Sequence, residues 1–322
     1  DFRIITRNRR LVHPTQRAGV LLAAAVPLIE AEADGRMFRL LGIGVVMAVL
    51  SIVPALLIML VIDRVMSYKV LSTLVLAGVI LKMGAYGVLR FGFELFPRAS
   101  ARFAWLFLTL AVIGIVYGSI VAAMQRDAKR VIAYSSVAHM GFILLGIFSI
   151  TVWGLDGASF TMVSHPLTTG ALFLVIGMLY ERRHTRMIDQ FGGIWKSAPI
   201  LTALFLIAMF AGIGLPGFSG FVGEFLSLLG TFTIHRWYAV VATTGVILGA
   251  VYMLWMFQRV FTGVPEGENA TMKDVNLREV LVVVPLLALS LFIGLYSKPV
   301  LDRIEPTTKC VMANFERETN LS

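Results

Sequence analysis

The sequence predicts an all-α protein, a polytopic bundle of transmembrane helices in which one helix is discontinuous. Of its 322 residues, 58% are hydrophobic and only 15% are charged, whereas about 25% of the residues of a typical soluble domain are charged. The mean hydropathy is +0.84, and the apolar residues form long runs that only a lipid bilayer can cover. A soluble globular fold and a disordered chain are both excluded.

Apolar runs long enough to cross a bilayer follow one another from residue 40 onward. A spanning helix needs about 20 residues, and eight runs of at least about this length are present. The predicted spans are 40–62, 71–93, 103–124, 131–150, 157–180, 199–232, 238–262 and 279–297. Residues 1–39 combine arginines with a short apolar stretch that contains Pro27 and Glu30, and they are left unassigned. Residues 301–322 are expected to form a polar C-terminal tail.

The run 199–232 is too long for one straight helix. Gly214, Pro216 and Gly217 lie near its middle. Proline removes a backbone donor and glycine weakens a helix, so we predict two half-helices that are separated by a break at Pro216 and Gly217. Non-helical backbone at membrane depth persists only inside protein or beside water. The break therefore marks a candidate functional region.

Basic residues are concentrated in alternate loops. Loops 63–70, 125–130, 181–198 and 258–278 carry most of them. Cytoplasmic loops of membrane proteins collect lysine and arginine, so these four loops are predicted to be cytoplasmic and the C-terminus to lie outside. The same distribution accounts for the net charge of +9, and no nucleic-acid partner is expected.

The sequence gives no indication of metal or cofactor chemistry. The single cysteine, Cys310, excludes an internal disulfide and a Cys-ligated iron–sulfur cluster, and the five histidines lack metal-ligand spacing. The segment GIGLPG matches a dinucleotide-binding fingerprint, but it follows no strand and lies in an apolar run, so we reject it. We therefore expect no metal site, no bound cofactor, and no redox or bond-breaking chemistry by this chain alone.

Two ionisable residues fall inside predicted spans. Lys82 lies eleven residues from each end of 71–93, roughly 16 Å from either surface, which is too deep for its side chain to reach water. Glu224 follows the break at Pro216 by eight residues, and carboxylates beside interrupted helices are typical ion sites in transporters. Mid-membrane ionisable groups mostly mark ion paths. The alternatives are a structural ion pair for Lys82 and a protonated, packed carboxyl group for Glu224.

His139 and His165 are also within predicted spans. A histidine that titrates near neutrality suits proton transfer, although a lone buried histidine is more often only hydrogen-bonded in the core. Pro166 is expected to interrupt the helix around His165 and to free carbonyl groups for water. Neighbouring hydroxyl groups either support a water chain or, more commonly, bond back to their own helix. These hydroxyls belong to Ser135, Ser136, Ser164, Thr168 and Thr169.

Four segments together resemble a known family. They are LAGVILKMGAYGVLRF, AAMQRDAKRVIAYSSVAHMGFILLGIFS, SHPLTTGALFLVIGMLYERRHTR and GLPGFSGFVGEFLSLLGTF. In this order and spacing they resemble the antiporter-like membrane subunits of proton-pumping NADH:quinone oxidoreductase (respiratory complex I), of the chain M (chain 4) type. The resemblance covers about residues 72–300. The same motifs distinguish chain M less sharply from the related cation/proton antiporter and membrane-bound hydrogenase subunits.

The resemblance implies a fold, a function and a site. The fold is that of the complex I antiporter-like and Mrp antiporter subunits, with 71–300 as the proton-translocating domain. Lys82 matches the central lysine of the family, and Glu224 matches the acidic residue of its broken helix. His139 and His165 match polar positions of its central axis. The expected partners are the lipid bilayer and the other membrane subunits of the complex I membrane arm. Quinone and NADH would be bound only by partner subunits. The expected location is the cell inner (plasma) membrane.

The sequence departs from the family pattern in three ways. The family has six further helices with a lysine–glutamate pair, no motif matches upstream of about residue 72, and Pro166 stands where glycine is usual. Segment 40–70 is therefore expected to be an extra span without a family counterpart, and the chain a truncated, split or rearranged copy. Two other functions stay open: a subunit of a multisubunit Na⁺/H⁺ antiporter or membrane-bound hydrogenase, and a non-conducting structural subunit.

Overall fold

A computed structural model describes residues 81–319. The unassigned segment 1–39, the span 40–62, the loop 63–70, the first ten residues of span 71–93 and the last three residues of the chain lie outside the described residues.

The described residues form a bundle of helices joined by turns and by two longer loops, 184–193 and 262–276. The helices are α1 (Leu81–Gly87), which continues into a π-helical stretch (Val88–Gly92) and α2 (Phe93–Leu95), then α3 (Pro97–Arg102), α4 (Ala104–Ala123), α5 (Ala128–Phe148), α6 (Val152–Arg183), α7 (Ile194–Ser197), α8 (Pro199–Ile213), α9 (Ser219–Ile234), α10 (Arg236–Phe261), α11 (Leu277–Leu295) and α12 (Lys298–Thr319). Five of them, α4, α5, α6, α10 and α11, are long and apolar enough to cross a membrane. The helical bundle confirms the predicted fold class.

The predicted break is present. The run 199–232 forms α8 and α9, and the residues between them include Gly214 and Gly217 with φ angles of 79° and 103°. Residues with a side chain rarely adopt these positive φ values, whereas glycine adopts them without strain. Helix α11 covers one side of the break, because a Cβ atom on Gly294 would lie within 3.0 Å of the backbone of Phe218.

Pro166 does not break its helix, contrary to our expectation. Helix α6 runs without interruption for 32 residues, with Pro166 inside it. The proline removes only its own backbone donor, whose usual acceptor would be the carbonyl of Met162, and the remaining hydrogen bonds carry the helix through. At about 1.5 Å per residue, α6 is roughly 48 Å long.

The basic loops meet at one end of the bundle, which we call the basic face. The backbone N–H of Ala128 donates to Arg186, and the N–H of Gly193 donates to Thr262, so loops 125–130, 181–198 and 258–278 touch one another. Arg182 at the end of α6 donates to the carbonyl of Lys273 and to Glu279. Three of the four loops predicted to share one side of the membrane therefore lie at the same end of the bundle.

The C-terminal segment is a helix at the opposite end. The sequence predicted only a polar tail there, but α12 buries Thr308, Met312 and Phe315 on one face. These residues are spaced three to four apart, a helical pattern that the polar average of the segment conceals. Phe315 stacks on Phe93 with ring centroids 4.6 Å apart, and the Thr308 hydroxyl donates to Asp156 near the start of α6 at 2.5 Å.

Asp274 caps the half-helix α8 from a distant loop. Its carboxylate accepts from the backbone N–H groups of Ile200 and Leu201 at 2.8 and 3.0 Å. Since loss of an N-terminal cap costs about 1 kcal/mol, we expect Asp274→Ala to lower the thermal unfolding midpoint of the detergent-solubilised protein. Asp274→Asn keeps an acceptor oxygen and should lose less. Equal midpoints for the two variants would contradict this role of the carboxylate.

Candidate functional site: a buried row of ionisable side chains

Four ionisable residues from four helices form a row inside the bundle. The Lys82 ammonium nitrogen lies 2.8 Å from Nδ1 of His165. The rings of His165 and His139 meet edge to face, with centroids 5.2 Å apart. Nδ1 of His139 lies 2.7 Å from a carboxylate oxygen of Glu224. The order Lys82–His165–His139–Glu224, here called the buried row, brings together all four of the residues that the sequence singled out.

The buried row is shielded from solvent. Lys82, His165 and Glu224 are 7%, 3% and 5% exposed, and the side chain of His139 is 14% exposed. An unpaired charge at such depth is costly unless it is hydrogen-bonded, paired or neutralised. Each end of the row meets this requirement with a direct contact to a histidine.

The row lies in a polar layer between two apolar clusters. The basic-face cluster contains the apolar residues of 128–133 in α5 and of 171–179 in α6. The opposite cluster contains Met140 and Phe148 of α5 with Leu155 and Ala158 of α6. His139 and His165 occupy the gap that both helices leave between the clusters. His139 is eleven residues from Ala128 and nine from Phe148, roughly 16 and 14 Å from the two ends of α5, so the row crosses the bundle near the middle of this helix.

Hydroxyl groups surround His165. Thr169, one turn further along α6, places its Oγ1 atom 3.2 Å from both ring nitrogens of His165. Thr168 donates to the His165 carbonyl at 3.3 Å. Most of the hydroxyls that the sequence identified also bond back to their own helices. Thr169 differs from the others because its hydroxyl contacts the ring of His165, a member of the buried row.

Glu224 lies against the break between α8 and α9. A Cβ atom on Gly214 would be 3.0 Å from Oε2 of Glu224, so the glycine leaves space for the carboxylate. Helix α9 is held against α6 by close backbone contacts at Gly157 and Gly223, where added Cβ atoms would lie within 3.0 Å of the facing helix. This packing fixes the height of Glu224 relative to His165, which lies on α6.

One buried group at this site was not found from the sequence. Tyr252 of α10 is 3% exposed, and it packs in the basic-face cluster that borders the buried row. A tyrosine in an apolar span gives no signal by composition, because aromatic residues are common in such helices. Among residues 81–319, no group of three His, Cys, Asp or Glu side chains is arranged to hold a metal ion.

Fold and site together define a class. The protein is a multi-pass helical membrane protein in which a discontinuous helix adjoins a buried row of ionisable side chains. The chain belongs to the family described as NADH:quinone oxidoreductase/Mrp antiporter, TM, which matches residues 20–249. This match begins upstream of residue 72, where the motifs indicated the start of the resemblance, and it includes the segment 40–70.

Relatives named NADH-quinone oxidoreductase subunit M are similar to most of the chain. The Rhodobacter capsulatus protein is 44% identical over 248 residues, which are 77% of this chain and 48% of that protein. The Mycobacterium tuberculosis protein is 46% identical over 234 residues, or 73% of this chain and 42% of that protein. The chain thus spans about half the length of the curated relatives it matches.

Solved structures show the same fold. A chain of respiratory complex I from Thermus thermophilus with bound NADH matches with a TM-score of 0.71 and 34% identity, covering 75% of this chain and 52% of that one. A chain of the Mrp complex from a Dietzia species matches with a TM-score of 0.68 over 77% of this chain and 54% of that one. Its identity is 21%, so it supports the fold alone.

Proposed function

We propose that this chain is a proton-translocating membrane subunit of an NADH:quinone oxidoreductase and that the buried row carries the protons. The observation that carries the proposal is the sequence of contacts Lys82–His165 and His139–Glu224 inside the bundle, between two apolar clusters. The relatives named subunit M support this assignment. NADH and quinone would be bound by partner subunits, and the chain would need no cofactor.

The charges at the two ends explain why a proton would move. Transfer of one proton from the Lys82 ammonium group to the Glu224 carboxylate neutralises both groups at once. Because a buried charge is penalised by the low dielectric, the neutral pair and the charged pair are alternative states whose balance an added nearby charge can tip. We propose that quinone reduction in partner subunits supplies such a charge.

The two histidines provide the intermediate sites. Nδ1 of His165 can accept from Lys82, and a protonated Nδ1 of His139 can donate to Glu224. The edge-to-face contact between the rings is not a hydrogen bond, so passage from one ring to the other needs a ring rotation or a bridging water. This ring pair is the step at which the row can be interrupted.

We also propose a location and an orientation. The inner membrane of the cell would hold the chain beside the other subunits of a complex I membrane arm. The basic face would be cytoplasmic, since three lysine- and arginine-rich loops meet there. Mass spectrometry of the proteins that co-purify from the native membrane tests both statements. Recovery of antiporter or hydrogenase subunits instead of NADH dehydrogenase subunits would refute the assignment.

Lys82→Met tests the function of the row. Methionine has a similar length and cannot carry a proton, so we expect most NADH-driven proton uptake by inverted membrane vesicles to be lost when it is measured per NADH oxidised. Lys196→Met, the same change at an exposed position of the short helix α7, is the matched control and should pump normally. Normal pumping by Lys82→Met in an assembled complex would refute the proton-carrying role and favour a structural subunit.

A further inference from the structure

The hydroxyl group of Thr169 contacts the ring of His165 instead of the backbone of its own helix. A threonine or serine inside a helix usually donates to a carbonyl three or four residues earlier. Thr161 and Thr168 of the same helix α6 follow this rule, the second with the carbonyl of His165 as its acceptor. Oγ1 of Thr169 lies 3.2 Å from both ring nitrogens of His165. This departure from the usual pattern suggests a role for the hydroxyl in the buried row.

One helix supplies both partners of this contact. Residues four apart lie on the same face of a helix, and each side chain is tilted toward the helix N-terminus, so Thr169 points back at His165. Threonine is branched at Cβ and adopts few rotamers, which limits where Oγ1 can lie. His165 and Thr169 are both 3% exposed, so bulk water is kept away from the contact.

The contact with Lys82 decides which nitrogen of His165 carries the ring proton. A lysine ammonium group can only donate, so Nδ1, which lies 2.8 Å from Nζ of Lys82, is the acceptor while Lys82 is charged. The proton of the neutral imidazole is then on Nε2. Oγ1 of Thr169 lies 3.2 Å from Nε2 and is the acceptor for this N–H group.

A hydroxyl group suits this position because it can both donate and accept a hydrogen bond. When Lys82 passes a proton to Nδ1, the ring becomes an imidazolium that keeps its Nε2–H group, and Thr169 still accepts from it. When the ring then releases the Nε2 proton toward His139, the hydroxyl can rotate and donate to the bare nitrogen. The ring therefore keeps Thr169 as a partner in each of its protonation states.

We infer that Thr169 is a positioning residue that holds the His165 ring with Nδ1 toward Lys82. Without the hydroxyl the ring can rotate about its Cβ–Cγ bond, and Nδ1 is then turned away from the ammonium group for part of the time. Proton transfer needs the donor and acceptor atoms within hydrogen-bond reach, so each such rotation interrupts the first contact of the buried row. The inference rests on the proposed function of the row.

Thr169→Val tests this role, because it replaces the hydroxyl by a methyl group and keeps the branched shape of the side chain. The measurement is the initial rate of NADH-driven proton uptake by inverted membrane vesicles, normalised to the amount of assembled complex. We expect this rate to fall about tenfold, which corresponds to the loss of one hydrogen bond to a charged group. Thr169→Ser keeps the hydroxyl and should retain most of the parent rate.

Thr168→Val is the matched control. Thr168 precedes Thr169 on α6 and is also 3% exposed, but its hydroxyl donates to the carbonyl of His165 at 3.3 Å. The control loses the same group from the same turn of the helix and should pump normally. If Thr169→Val reduces assembly, comparison of Thr169→Ser with Thr169→Ala gives the same test, because these two variants differ only in the hydroxyl.

The outcomes separate this inference from the proposed function. A normal rate in Thr169→Val, together with loss of proton uptake in Lys82→Met, would overturn the positioning role and leave the row intact. Normal uptake in Lys82→Met would overturn both. The positioning role would also be overturned if Thr168→Val were as slow as Thr169→Val, or if Thr169→Ser were no faster than Thr169→Val.

Discussion

Gly157→Ala will separate α6 from α9, and we expect the chain to be lost from its membrane complex. A Cβ atom at this position would lie within 3.0 Å of the backbone nitrogen of Ser227 and 2.8 Å from the carbonyl oxygen of Gly223. These are backbone atoms in the middle of a helix, so no side-chain rotation relieves the clash. Overpacking a core costs about 1–3 kcal/mol, and a clash with rigid backbone belongs at the upper end of that range.

Gly177→Ala is the matched control on the same helix. An added Cβ atom there would meet nothing within 4 Å, and alanine is a better helix former than glycine by about 1 kcal/mol. We expect this variant to assemble at least as well as the parent. The measurement is the amount of chain in the complex after solubilisation in mild detergent. Equal recovery of the two variants would show that the α6–α9 contact is not the one that holds the bundle together.

The spans could be predicted because the bilayer imposes a simple rule on the sequence. Runs 103–124, 238–262 and 279–297 correspond within about two residues to α4, α10 and α11, since a spanning segment has a fixed length and few charges. The break between α8 and α9 could be predicted equally well, because Pro216 and its neighbouring glycines disfavour the continuation of a helix. Both signals are local in the chain.

The geometry of the buried row could not be predicted. Lys82 and Glu224 were identified as ionisable residues at membrane depth, but the contact partners in Lys82–His165 and His139–Glu224 are 83 and 85 residues apart. Which side chains meet depends on the packing of four helices, and apolar periodicity does not fix that packing. The sequence therefore identified the four members of the row but not the order in which they contact one another.

Two local expectations differed from the structure for identifiable reasons. Pro166 removes one hydrogen bond from a helix of 32 residues, and neighbouring turns and tertiary packing outweigh that loss. The segment after residue 300 has a polar average, yet Thr308, Met312 and Phe315 share a face and pack against the bundle. Tyr252 escaped notice because a buried tyrosine in an apolar span differs from its neighbours neither in composition nor in spacing.

Glu224→Gln should abolish proton uptake while the complex still assembles. The glutamine oxygen can still accept the hydrogen bond that His139 makes to Oε1 at 2.7 Å, so the packing beside the break is kept, but an amide cannot take up the proton. We expect a loss as large as that in Lys82→Met, measured as proton uptake per NADH oxidised. Glu316→Gln, at an exposed position of α12, is the control for loss of a carboxylate and should pump normally.

The double variant Lys82→Met/Glu224→Gln separates proton transfer from charge balance. If the two residues only compensate each other's buried charge, removing one leaves an uncompensated charge and removing both restores a neutral, functional core, as replacement of buried ion pairs by neutral groups often does. If they carry protons, the double variant is neutral and assembles but stays unable to pump. We expect the second result, because the two charges do not touch: the two histidine rings lie between them, where a simple ion pair would have closed the gap. Recovery of pumping in the double variant would reduce the buried row to a structural ion pair.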